Sequence, residues 1–271
     1  MKGRRMATAD PNRSRPVRKR ISRGAKTLVR RGALAWARLR ARRILHILHI
    51  GKTGGTAIRA GLGLAKGRPI AFPKAVVTQH PHNVRLRDCP HGEPVVFFVR
   101  DPIERYVSGF WSRYRKGRDG CNEWQPGEAA AFARFSSPDA LARALTDADA
   151  ETQTAARQAM RDIGHVRDTL EFYLTSPDYL YNRRADLLHI GFQEWLNEDF
   201  DVLVQEIGAS DVPGLPKDGK RAHHTPQTFN RTLSETALTN LQQWFAMDIR
   251  IYRTCREMAG IADAEDHNPS A

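Results

Sequence analysis

Three segments of this chain place anion- and proton-handling residues where chemistry could occur. The first runs Ile44-Leu45-His46-Ile47-Leu48-His49-Ile50 and ends in Gly51-Lys52-Thr53-Gly54-Gly55-Thr56-Ala57. A short apolar run, a Gly/Thr loop with one lysine and the start of a helix form the layout of a phosphate cradle. Backbone N–H groups at a helix start are unpaired, and glycines let an anion approach them closely. Lys52 adds a mobile charge, and Thr53 and Thr56 add hydroxyl donors.

The second segment is the apolar run 93–99 followed by Arg100-Asp101-Pro102-Ile103-Glu104-Arg105-Tyr106-Val107-Ser108-Gly109-Phe110. Asp101 suits a helix N-cap and Pro102 its first turn. Arg100 is then expected at the carboxyl edge of a strand, with Ser108 two turns along the helix and facing the same crevice. A guanidinium fork and a hydroxyl suit a second phosphate, although a lone arginine would by default pair with Asp101 or Glu104. The third segment, Thr78-Gln79-His80-Pro81-His82-Asn83, follows a short apolar run and offers two imidazoles, the simplest bases near neutral pH.

Several chemistries are disfavoured. The nucleotide triphosphatase pattern GxxxxGK[ST] needs a glycine at position 46, which is His46, and Gly61 and Gly63 lie too late for a dinucleotide fingerprint. Cys89, Cys121 and Cys255 lack paired ligand spacing, so no metal site is expected, and no GxSxG elbow occurs. His46 and His49 read as core or loop-orienting residues.

Taken together and in this order, residues 49–56 and 98–110 resemble the sulfotransferases that use 3′-phosphoadenosine 5′-phosphosulfate (PAPS). The carbohydrate branch, which includes the uronosyl 2-O-sulfotransferases and many bacterial relatives, is the most similar. The resemblance spans residues 44 to about 260 and implies an α/β fold, a parallel sheet in three layers with a P-loop-like phosphate loop. It implies that residues 51–57 (Gly51, Lys52, Thr53, Gly54, Gly55, Thr56 and Ala57) hold the 5′-phosphosulfate, and that Arg100 and Ser108 hold the 3′-phosphate. Lys52 would stabilise the leaving group and His82 would be the base, with His80 beside it in the site. Lys220 and Arg221, in a late basic loop, are further candidates for phosphate contact. PAPS would be the donor, PAP (3′-phosphoadenosine 5′-phosphate) the product, and a carbohydrate or glycoconjugate hydroxyl the acceptor. One departure is visible: Gly51 stands where the family usually has proline.

The chain's 271 residues carry 43 Lys/Arg and 30 Asp/Glu. Sixteen of the basic residues and one acid lie in residues 1–43, leaving 27 basic and 29 acidic residues in the remainder. The positive charge therefore belongs to an N-terminal extension, not to the domain at 44–260 or the short tail at 261–271. The extension reads as disordered to about Arg23, with a basic, partly amphipathic helix permitted over 25–43. A solvated extension, contact with an anionic membrane surface and a nucleic-acid arm are its three readings. The balanced charge of the remainder argues against specific nucleic-acid binding. No apolar stretch reaches the roughly 20 residues needed to span a bilayer. With three scattered cysteines, the expected location is cytoplasmic, with membrane association at the inner surface as an option.

The elements that must position these residues are strands at 44–50, 75–79, 94–99 and 187–192. Helices are expected at 57–65, 102–116, 194–207 and 234–259, the last capped by Ser234. A helical middle region spans 117–185, with one helix starting at Asp139 and Phe132, Phe135, Leu141 and Leu145 on its apolar face.

Overall fold

A computed structural model describes residues 16–40, 42–65, 67–117, 122–216 and 229–261. The apolar runs become β1 (Ile44–Leu48), β3 (Val76–Gln79), β4 (Val95–Val99) and β5 (Leu187–Phe192), joined by a two-residue strand β2 (Ile70–Ala71). The sheet order is β2-β3-β1-β4-β5. The pairs β1–β3, β1–β4 and β4–β5 are parallel, whereas β2 lies antiparallel to β3. The sheet is therefore mixed, not wholly parallel, because β2 and β3 are joined by a tight connection with no room for a crossover helix.

Eleven helices are assigned among the described residues: α1 (Pro16–Leu39), α2 (Gly55–Gly61), α3 (Pro102–Tyr114), α4 (Pro126–Arg134), α5 (Pro138–Arg143), α6 (Ala150–Asp162), α7 (Leu170–Leu174), α8 (Pro177–Asn182), α9 (Leu196–Ile207), α10 (Glu235–Trp244) and α11 (Ala246–Met258). Continuous apolar strands need cover on both faces. Leu45, Ile47, Val96 and Phe98 pack on Ile58 of α2, on Leu62 just after it, and on Phe200 and Leu203 of α9. Leu48, Phe97 and Val99 face the other way, against Leu170 and Leu174 of α7 and Ile251 of α11. A third cluster sets Tyr106, Phe110 and Trp111 of α3 against α4, α5, α6 and α10, with Phe132, Phe135, Leu141 and Leu145 buried in it.

Asp101 caps α3 as its sequence suggested, accepting from the Ile103 and Glu104 N–H groups. The helix expected from Asp139 is capped instead by Ser137, which accepts from the Ala140 N–H and leaves Asp139 in the first turn. The single helix expected over 234–259 is two, because Phe245 turns out of helical geometry to bury itself in the third cluster. Ser234 does cap the first of them.

The N-terminal extension departs furthest from expectation. α1 begins at Pro16, within the stretch expected to be disordered, and its Arg/Ala-rich sequence has high helix propensity. Leu34 and Ala37 are buried against Ile44 and Val76 at the side of the sheet. Arg38 forks onto both carboxylate oxygens of Glu93, at 2.6 and 2.8 Å. The second half of α1 is thus part of the folded body.

Candidate active site

The carboxyl ends of β1, β3, β4 and β5 all open on one side of the sheet, and a cavity of about 490 Å³ lies there. Such a position is where open α/β sheets gather ligands. Its lining includes Lys52, Gly54, Gly55, Thr56 and Ala57 after β1, His82 after β3, and Arg100 and Ser108 at the end of β4 and on α3. Residues from three separate segments therefore share one cavity.

The loop is shaped by its buried side chains. Thr53 is 1% exposed and donates its hydroxyl to the Ile50 carbonyl at 3.0 Å, so it braces the loop and does not line the cavity. Gly51 does not line it either; its carbonyl accepts from Arg105 Nε at 2.9 Å. Arg105, fully enclosed, also donates to the Asp168 carbonyl and so bolts α3 to the loop and to the segment before α7. Gln79 holds the start of α2 through the Gly55 carbonyl at 2.7 Å. Lys52 adopts a left-handed backbone, φ 72°, which a side chain rarely occupies without compensation. Burial, then the positive charges of Arg115, Arg100 and Arg105, lower its pKa to about 8.

His82 sits on His49, ring centroids 3.8 Å apart, and its Nδ1 lies 3.2 Å from the His49 carbonyl oxygen. A carbonyl only accepts, so Nδ1 is the donor in this contact, and in the neutral form of the ring the lone pair is on Nε2. His49, which read as a loop-orienting residue, lines the cavity and also blocks a side chain at Gly55: a Cβ there would fall 2.1 Å from its ring.

His80 is not in this cavity. Its backbone N–H continues the ladder to Ile47, and its ring faces His46, Nε2 to Nδ1, at 2.8 Å. Pro81 then turns the chain, so His80 and His82 do not share a site. His80 Nδ1 lies 3.5 Å from Arg30, and His46 Nε2 lies 2.6 Å from Glu93. Burial pushes the His80 pKa down to about 3 and lowers that of His46. Neutral rings satisfy every link: Arg30 donates to His80, His80 to His46, and His46 to Glu93.

Arg100 makes its default ion pair, to Glu104 at 3.0 Å, yet still lines the cavity. Arg231 donates to the same Glu104 oxygen, so one carboxylate pins two guanidiniums at the cavity wall. Lys220 and Arg221 lie outside the described residues.

His165 is the residue that motif reading missed. It comes from the turn between α6 and α7, lines the cavity, and stands edge-on to His82 at 5.8 Å. Its backbone is left-handed, φ 68°. Two glycines make room for it: a Cβ at Gly51 would be 3.1 Å from His165 Nδ1, and one at Gly109 3.1 Å from its carbonyl oxygen. Burial, then the nearby charge of Lys52, holds its pKa well below the usual histidine range. A lone histidine in a helical region carries no motif of its own for this placement.

The arrangement offers, in one enclosure, a lysine and two arginines for anions, a hydroxyl, and a histidine anchored through its Nδ1. Comparison with known protein families finds no family model that matches the chain, and comparison with curated proteins finds no match.

Proposed function

We propose that this protein is a PAPS-dependent sulfotransferase of the carbohydrate type, transferring a sulfuryl group to a hydroxyl of a carbohydrate or glycoconjugate. The observation that carries the reading is the convergence of Lys52, His82, Arg100 and Ser108 on one cavity at the carboxyl edge of the sheet. On this reading the fold is the sulfotransferase variant of the α/β class, and residues 54–57 with Lys52 form its phosphosulfate loop.

In the proposed reaction the acceptor oxygen attacks sulfur as the bond from sulfur to the bridging phosphate oxygen breaks. His82 Nε2 takes the hydroxyl proton, and PAP departs. Lys52 stabilises charge developing on the bridging oxygen, and Arg100 and Ser108 bind the 3′-phosphate. Preorganised charge and in-line placement would supply most of the rate, by analogy with phosphoryl transfer.

Incubation with labelled PAPS and a panel of carbohydrate acceptors should give labelled product, lost in Lys52→Ala and His82→Ala. Retained activity in both variants would remove the assigned roles. Stabilisation by Mg-ATP with indifference to PAP would point to a kinase or phosphatase using the same loop.

A peripheral contact with anionic membrane through residues 1–43 is a second proposal. It is favoured by the outer face of α1, where Leu28, Val29, Trp36 and Leu39 are exposed among arginines. Among the described residues no helix is long and apolar enough to cross a membrane. Cosedimentation with anionic vesicles tests the contact, and failure to sediment would leave α1 a packed extension. The free thiols of Cys89 and Cys255 are in keeping with the cytoplasmic location proposed here.

A further inference from the structure

We propose that His46, His80 and Cys89 form a buried binding site for one transition-metal ion, with zinc the ion their donor set favours. One ring nitrogen each of His46 and His80 and the Cys89 sulfur all lie within 4.8 Å of one another. The three are buried and come from separate segments: β1, the residue after β3, and the turn that closes the 86–88 loop. Sequence spacing hides the set, because no two of these residues form a ligand pair along the chain.

Imidazole and thiolate are ordinary zinc donors, at about 2.0–2.1 and 2.3 Å respectively. His46 is already oriented as a metal-bound histidine. Its Nε2 donates to Glu93 at 2.6 Å, which fixes the tautomer and leaves the Nδ1 lone pair directed at His80. A carboxylate behind a ligating imidazole raises its basicity and holds the ring. The two facing nitrogens now share a hydrogen bond at 2.8 Å. On a tetrahedral ion they would stand about 3.3 Å apart, a separation of the rings by roughly half an ångström.

An independent observation points to the same place. Thr78 Oγ1 is buried and has no hydrogen-bond partner. Thr78 is the register partner of His46 and lies two residues before His80, whose N–H extends the ladder, so the three side chains rise from one face. A water completing the ion's coordination would give that hydroxyl a partner. With the ion bound, His80 Nδ1 carries a proton and the Arg30 side chain turns away from it. The site ties β1, β3 and the 86–88 turn together and none of its three ligands lines the candidate cavity, so its role is structural and does not depend on the proposed sulfuryl transfer.

The test uses the full untagged chain, stripped with a chelator and titrated with Zn²⁺ and, as a spectroscopic probe, Co²⁺. The expected result is one Zn²⁺ per chain and a rise in Tm. Co²⁺ should give a near-ultraviolet thiolate-to-cobalt charge-transfer band that disappears in Cys89→Ser. His80→Ala should weaken Zn²⁺ binding by about tenfold or more. No stoichiometric Zn²⁺ binding, or a Co²⁺ band that persists in Cys89→Ser, would overturn the proposal. The wild-type titration needs no variant, so a variant that fails to fold does not shield the idea.

Discussion

The His82 ring rests on the His49 ring at 3.8 Å and donates from Nδ1 to the backbone carbonyl of that same residue. His49 leads into the 51–57 loop, so His82, the proposed base, and that loop are fixed to each other. His82→Asn keeps a donor on that side but has no lone pair in place of Nε2. The transfer kcat should fall by about 10²–10⁴-fold, with PAP affinity unchanged by calorimetry. A matching loss of PAP affinity would move His82 from the acceptor side to the donor side.

Gly51 and His165 form a second such pair. A Cβ at position 51 meets His165 Nδ1 at 3.1 Å, closer than ordinary contact. Gly51→Ala should displace that imidazole by a few tenths of an ångström and lower kcat by roughly threefold to tenfold. In a His165→Ala background the added Gly51→Ala should cost little more, because the group it pushes is gone. Full additivity of the two effects would contradict this coupling.

Lys52 opposes stability in two ways, through its left-handed backbone and through its burial beside arginines. Lys52→Gly relieves both, whereas Lys52→Ala relieves only the second, so Gly should be the more stable by about 1 kcal/mol in denaturant melts. The folded pKa of about 8 lies below the ordinary 10.5. Between those values the unfolded chain binds more protons, so the wild type should gain stability relative to Lys52→Gly as pH rises through that window. Activity follows the opposite course: kcat/KM for PAPS needs the charged lysine and should fall above pH about 8. A flat profile to pH 10 would exclude Lys52 as the essential cation.

The docked half of α1 predicts unequal truncations. Removing residues 1–29 spares Leu34, Ala37 and Arg38 and should leave Tm nearly unchanged. Removing residues 1–43 uncovers Ile44 and Val76 and takes the Arg38 partner from Glu93, which should cost about 2–3 kcal/mol. Equal Tm values for the two truncations would show that the helix adds nothing to the fold.

The strands that carry the site were legible because each is a bounded apolar run, and Asp101-Pro102 marked the start of α3. β2 was not legible, since two residues display no period. The resemblance set His80 beside His82 in one site; the turn at Pro81 separates them and leaves His80 on His46, which in turn meets Glu93. His165 reaches the cavity only through tertiary packing, and its signal is indirect: glycines at 51 and 109 whose reason is the imidazole between them. Phe245 divides the last helix with neither glycine nor proline, because its burial outweighs one turn of helical hydrogen bonding.

Calorimetric titration of the full chain with PAP and with AMP, which lacks the 3′-phosphate, addresses the central claim most directly. The account predicts 1:1 binding of PAP, AMP weaker by about tenfold or more, and near equality of the two in Arg100→Ala, since a charge-assisted phosphate contact is worth about 1.5–3 kcal/mol. Equal affinities for PAP and AMP in the wild-type protein, or no binding of PAP, would contradict it.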